Sequence, residues 1–227
     1  KIIISAFFLA AFLNLNAQNS SLLSNDFWKK NPTKEEVLKE INNGNSPSIA
    51  NAGSFDPVTM AINNRANNEV IIAMIEMPGN GISKKTHHSR SYLHWAAATG
   101  NLELVNYLIG KGSDVHYKDS KGESITSYAA GNGCLNTDVY DALFAAGVDV
   151  NTTYNNGANL IMLVAPFDKT LSATNYFISK GLDIKQKDAH GRNVTDYAAR
   201  LGNIEVMNQL ISKGIKPTGN AIFFLTQ

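Results

Sequence analysis

The stretch "SYLHWAAATGNLELVNYLIGKGSDV", from Ser91 to Val115, decides the fold. It sets Ala96, Ala97 and Ala98 in a row, breaks at Gly100 and closes at Gly112, punctuation that one long helix would not carry. A second stretch, "NVTDYAARLGNIEVMNQLISKGIKP" from Asn193 to Pro217, repeats the same order of alanines, break, apolar helix and glycine. The pattern is therefore a unit that recurs.

Aligned on Ser91, the matching positions are Asp56, Ser124, Asn159 and Asn193, with steps of 35, 33, 35 and 34 residues. Each is followed by a short apolar helix rich in small residues, a break, and a second apolar helix. The second helices read "NNEVIIAMIEMPGN", "NLELVNYLIGKGSDV", "NTDVYDALFAAGVDV", "SATNYFISKGLDI" and "NIEVMNQLISKGIKP". Polar connectors such as "HYKDSKGES", "NTTYNNGAN" and "KQKDAHGRN" precede the next first helix, with Gly122, Gly157 and Gly191 in one shared place. That place predicts a tight turn with positive φ. A fixed period of this size predicts a stacked array. First helices in such a stack approach neighbours on both sides, which explains the alanines. The second helices carry larger residues on one stripe, Val105, Leu108 and Ile109 or Met207, Leu210 and Ile211, and seal the outer layer. No single unit buries this surface, so stability comes from stacking.

The stretch from Tyr92 closely resembles the ankyrin repeat, whose usual form is an Asp- and Gly-containing turn, T-P-L-H-x-A-A, a glycine break and a Leu/Val-rich second helix. His94, Ala96, Ala97, Gly100, Leu108 and Gly112 fall on that pattern, as do Ala198, Ala199, Gly202, Leu210 and Gly214. The resemblance runs from about Thr33 to Pro217. It implies an all-α ankyrin-repeat solenoid of stacked helix-turn-helix units joined by turn or β-hairpin-like loops. It also implies that His94 is structural, hydrogen-bonding a neighbouring turn. The family's opening Thr-Pro is kept only in part, as Asp56-Pro57, and becomes Ser91-Tyr92, Ser124-Ile125, Asn159-Leu160 and Asn193-Val194 elsewhere. Ser, Asn and Asp still cap a helix. The unit from Asn155 to Ile184 is the least regular: "VAPFDKT" stands where Ala-Ala and the break belong, and Pro166 predicts a bent or shortened helix with looser packing.

Outside the repeats the chain divides further. Residues 1–18, "KIIISAFFLAAFLNLNAQ", join a basic residue, an apolar run and a polar end, the layout of an export signal. The apolar run is shorter than the roughly 20 residues a membrane span needs, so no stable anchor is expected in the mature chain, and the location expected is periplasmic or secreted. Residues 19–32 read as a polar leader whose Phe27 and Trp28 cover the end of the core. "TKEEVLKEINNG" opens a capping half-repeat over 33–52, with Thr33 as cap and Gly44 as stop. About five repeats fill 53–219, and 220–227 reads as the opening of a further, truncated one.

A net charge of +1, with 17% charged and 44% hydrophobic residues, describes an ordinary chain able to bury a core and carries no nucleic-acid footprint. One cysteine, Cys134, excludes an internal disulfide and reads as a small buried hydrophobe. No H-E-x-x-H, G-x-S-x-G or P-loop is present. "GNGISKKT" from Gly79 has the wrong spacing, because no glycine precedes Lys84. His87 and His88 are adjacent and point apart, a poor basis for a metal site. The turns at Asp119–Gly122 and Asp188–Gly191 lack the alternating carboxylates of a calcium loop. The expectation is a non-enzyme that needs no cofactor or metal, monomeric by default. By resemblance, the contact positions are His87, His88 and Arg90; Ser120, Lys121 and Glu123; Asn155 and Asn156; and Ala189, His190, Arg192 and Arg200. These tips, mainly basic and polar, predict a partner protein with an acidic or polar surface, bound on the concave face. Two other roles stay open: an accessory region of a longer enzyme, and a structural envelope protein.

Overall fold

The structure, a computed structural model, describes residues 20–219. The export segment read at 1–18 and the further repeat read at 220–227 lie outside those residues. Among the described residues the chain is all-α, with short 3-10 turns and no strand. A leading turn of helix, α1 (Asn25–Trp28), and α2 (Lys34–Asn42) are followed by five helix pairs. These are α3 (Pro57–Asn63) with α4 (Asn68–Ile75), α5 (Tyr92–Ala98) with α6 (Leu102–Gly110), and α7 (Ile125–Gly131) with α8 (Thr137–Ala145). The last two are α9 (Leu160–Val164) with α10 (Ser172–Ser179), and α11 (Val194–Ala199) with α12 (Ile204–Ser212).

The helices start where the period places a cap. Asp56 accepts from the Thr59 amide at 2.8 Å, Ser124 from Ser127 at 3.1 Å, and Asn159 from Met162 at 3.1 Å. Asn193 accepts from Thr195 at 2.9 Å and Asp196 at 3.2 Å. Each bond satisfies an amide the helix leaves unpaired. Ser91 differs: its hydroxyl lies 3.0 Å from Nδ1 of the fully buried His94. Thr33 and Glu36 form the reciprocal box that starts α2.

Of the described residues, 20–99, 103–114 and 118–122 make one compact unit, and 100–102, 115–117 and 123–219 make a second. In the first, α3 packs against both α5 and its own partner α4. In the second, α9 packs against α7, α10 and α11, and α11 against α12. First helices thus lie side by side and second helices cover them. Ala96, Ala97, Ala129, Ala130, Ala198 and Ala199 are all fully buried, as close helix contact requires, and Leu108 and Leu210 have no exposed surface. Burying each such leucine stabilises by roughly 1.5–3 kcal/mol.

Three segments go beyond the repeat. The polar leader is structured: Leu22 and Trp28 are buried, and the Trp28 indole donates to the Leu22 carbonyl at 2.7 Å. Between α4 and α5, the segment with P-loop flavour is a clip. Lys84 Nζ lies 2.8 Å from Oδ2 of the fully buried Asp56 and donates to the Ser48 carbonyl at 2.6 Å and Asn80 Oδ1 at 2.8 Å. The Tyr92 hydroxyl donates to the same Asp56 oxygen at 2.5 Å, and burial together with that carboxylate pushes the phenol far above its ordinary range. Finally, α9 is only five residues long, shortened as Pro166 predicted, yet its packing is not loose. Leu160, Ile161, Met162 and Val164 are fully buried. Phe167 folds over Gly133, which sits at φ +81° with room for no side chain, since a Cβ there would lie 2.9 Å from the ring. Asp168 then starts α10 by accepting from the Thr174 amide at 2.7 Å.

Candidate functional site

The tips are built from five residues ahead of each first-helix cap. The first residue of the tip donates its amide to the carbonyl of the last: Thr86 to Arg90 at 2.9 Å, Tyr154 to Ala158 at 2.8 Å, Asp188 to Arg192 at 2.9 Å. Gly122, Gly157 and Gly191 hold φ of +77°, +76° and +75° in their shared place, where the first unit's other tips use Ser54 at +61° and Ser89 at +60°. One residue earlier, His88 and Asn156 are also left-handed, at +55° and +60°, a conformation that His and Asn adopt more readily than most residues. The double turn aims their carbonyls at the next tip. Ser120 donates its amide and hydroxyl to the His88 carbonyl, both at 2.9 Å, and Ala189 donates its amide to Asn156 at 2.7 Å. Within each unit, consecutive tips are thereby tied together.

Side chains four residues into the first helices brace the tips. Trp95 Nε1 donates to Thr86 Oγ1 at 2.8 Å, and the Tyr197 hydroxyl donates to Asp188 Oδ2 at 2.9 Å. Asp188 also accepts from Arg192 Nε at 2.7 Å and from the amides of His190 and Arg192, both at 2.9 Å. Burial alone would raise its pKa, but these donors outweigh burial and hold the carboxyl below the ordinary carboxylate range. Arg90 turns inward: it is 7% exposed, its Nε lies 2.9 Å from Asp119 Oδ2, and its guanidinium is 5.4 Å from the Trp95 ring centroid.

The tip Tyr154–Ala158 lacks such a brace, because Leu163 stands in the place of Trp95 and Tyr197. Tyr154 has its hydroxyl pushed up to about 12 by burial. Beside it opens a cleft of about 290 Å³, bounded by Glu123, Asn155, Asn156 and Arg192 of the tips and by Ser127, Leu163, Tyr197 and Arg200 of the first-helix segments. Glu123 is held in place, accepting from Ser127 Oγ at 2.7 Å and Asn155 Nδ2 at 3.0 Å.

The residues picked from sequence fall into two groups. In the first unit, His87 stacks on Phe55 with centroids 4.3 Å apart, its Nδ1 lies 2.6 Å from the Gly53 carbonyl, and its ring is 3.9 Å from that of His88. Partial desolvation, then the neighbouring His87, Lys121 and Arg90, hold the His88 imidazole below its ordinary pKa. His87 and Arg90 are therefore engaged with the tips on either side of their own, through Phe55 and Gly53 and through Asp119, whereas Lys121 is exposed. In the second unit, Glu123, Asn155, Asn156, Arg192 and Arg200 come together around the cleft, and His190 is exposed on the adjoining tip. Sequence reading missed Ser127, Tyr154, Leu163 and Tyr197. The signal was there in the repeat: four residues after successive caps come Met60, Trp95, Tyr128, Leu163 and Tyr197, and within the second unit Leu163, between Tyr128 and Tyr197, marks the cleft. Among the described residues, no three His, Cys, Asp or Glu side chains are placed to hold a metal, and no helix is long and apolar enough to cross a membrane. Cys134 is buried.

This fold, an all-α array of capped helix pairs with linked tips, defines a repeat protein. The sequence profile describing ankyrin repeats (3 copies) matches residues 29–119 and again 121–221. The chain belongs to the ankyrin-repeat family. It is similar to the palmitoyltransferase AKR1 of Kluyveromyces lactis, 31% identical over 112 residues, which is 48% of this chain and 15% of that protein. It is also similar to an L-asparaginase of Dirofilaria immitis, 25% identical over 139 residues, 61% of this chain and 23% of that one. The ankyrin repeat protein RF_p14 of Rickettsia felis is 44% identical over 46 residues, 20% of this chain and 70% of that protein. The chain thus spans under a quarter of the length of the first two relatives.

Proposed function

We propose that the protein is an exported binding module that holds a partner protein on its tips, without chemistry of its own. Ankyrin repeats are in general protein–protein interaction modules, which supports the coarse reading. The observation that carries the finer one is the convergence of Glu123, Asn155, Asn156, Arg192 and Arg200 on one cleft. Export rests on the layout of residues 1–18. N-terminal sequencing of the protein in the exported fraction tests it, and an intact residue 1–18 segment there would end the idea of a cleaved signal.

The partner is tested by crosslinking from the native exported fraction, comparing wild type with the triple variant Lys121→Glu, His190→Glu, Arg200→Glu. All three side chains are exposed, so the fold should survive, whereas reversing Arg90 or Arg192 would break internal ion pairs. One crosslinked protein lost on charge reversal is the expected result. Identical crosslinks from both forms, or none, would reject the tip face as the binding surface. A second reading has a specific observation behind it: the two relatives named as enzymes match over 48% and 61% of this chain. On that reading the array accompanies a catalytic region in a longer chain, and sequencing the complete transcript decides it.

A further inference from the structure

Next to the polar cleft lies a smaller notch of about 60 Å³, lined by Gly131, Leu163, Pro166, Phe167, Leu201 and two residues it shares with the cleft, Tyr197 and Arg200. Leu163 is likewise common to both. The repeat explains the arrangement. Gly131, Pro166 and Arg200 each come seven residues after a cap, and Ser127, Leu163 and Tyr197 come three or four after. Positions three and four apart share a helix face, so three neighbouring first helices present one row to each depression. Glycine at 131 and proline at 166 carry no long side chain over the notch, which leaves Leu201 56% exposed beside it.

The charges are not equivalent. Arg192 is engaged by Asp188, and Glu123 by Ser127 and Asn155. Arg200 is exposed and forms no ion pair among the described residues. The group at the junction of a polar and an apolar depression is thus a cation with its fork open, a geometry suited to a carboxylate.

We infer that the paired depressions are a peptide subsite that seats an acidic side chain against Arg200 in the cleft and an adjacent apolar side chain in the notch. This rests on the reading that the tips bind a partner protein and names the short motif that partner presents. A free inorganic anion would meet one open cation beside Glu123 and leave the apolar notch unused. Nucleic acid needs several phosphate contacts, and the chain carries a net charge of only +1. A cleft of about 290 Å³ is at the small end for ligand sites, the size of a few extended residues.

A phage-displayed random dodecapeptide library is selected on the full chain, and enriched peptides are measured by fluorescence polarisation on wild type, Arg200→Ala and Arg200→Lys, each checked by thermal melting. Enriched peptides should share Asp or Glu within two positions of Leu, Ile or Phe. Their Kd should rise tenfold or more in Arg200→Ala and recover in part in Arg200→Lys. Enriched peptides without an acidic residue, or with unchanged Kd in Arg200→Ala, overturn the subsite while leaving tip binding intact. No enrichment alongside a charge-dependent crosslinked partner also overturns the subsite alone, and no enrichment with no such partner overturns both.

Discussion

The tips Asp188–Arg192 and Tyr154–Ala158 share a backbone and differ in what holds them. Both close through an amide-to-carbonyl bond, at 2.9 and 2.8 Å, and both place glycine near φ +75°. Behind the first stand Tyr197 and Arg192, converging on a carboxylate that has lost almost all contact with solvent. Behind the second stands Leu163, which can donate nothing, and there the cleft opens. The period and its glycines set the backbone of a tip. At these two tips, one side chain four residues into the helix separates a braced tip from one with an open cleft beside it.

The largest effect is expected where a brace includes a buried charge. Arg90→Ala leaves Asp119, whose side chain is fully buried, without its ion partner, and breaking such a pair costs about 3–5 kcal/mol. Urea unfolding that gives a loss of less than about 1 kcal/mol would show that the first unit's tip does not depend on the pair.

A smaller loss separates the two tips of the second unit. Tyr197→Phe removes one donor from Asp188, and hydrogen bonds to charged groups contribute about 1.5–3 kcal/mol. The effect should depend on pH. Asp188 is held below its ordinary value in the folded state, so its contribution is present above the unfolded carboxylate pKa of about 3.9 and fades as pH falls through the lower folded value. Removing a donor raises that folded value, so acid unfolding of Tyr197→Phe should begin at higher pH than wild type. In Asp188→Asn this part of the acid transition should be missing. Acid curves that superimpose would refute the bracing role.

Capped first helices and buried alanines follow from facts that a linear pattern displays: a period, capping residues at each step, and small side chains where helices must touch. Asp56, Ser124, Asn159 and Asn193 were legible because a cap acts on its own helix. Lys84 was not, because its partners Asp56 and Ser48 lie 28 and 36 residues away, beyond the reach of any local pattern. The site was legible in part. The tip residues are polar and were found, but polarity does not distinguish Arg200, exposed at the cleft, from Arg90, turned into an ion pair. Leu163 is one apolar residue among several in its helix, and only comparison with Trp95 and Tyr197 at the same place shows what it leaves unfilled. Pro166 shortened its helix as chain geometry demands, yet Phe167 and Asp168 restored packing and capping by contacts no local rule supplies.

The smallest expected change in stability is the most direct test of the comparison. Leu163→Tyr gives the unbraced tip the side chain that Tyr197 gives its neighbour, at a half-buried position lining the same cleft as Tyr154. Point substitutions centre near about 1 kcal/mol, and this one adds atoms beside an open cleft rather than in a packed core, so the melting curve should move less than in Tyr197→Phe. Binding should not be spared, because the added ring occupies the boundary shared by the cleft and the notch. Peptides that depend on Arg200 should lose at least tenfold in affinity to a variant whose fold and charge are unchanged. Unaltered affinity would mean that the missing brace and the binding surface are unrelated, and the difference between the two tips would then be one of packing alone.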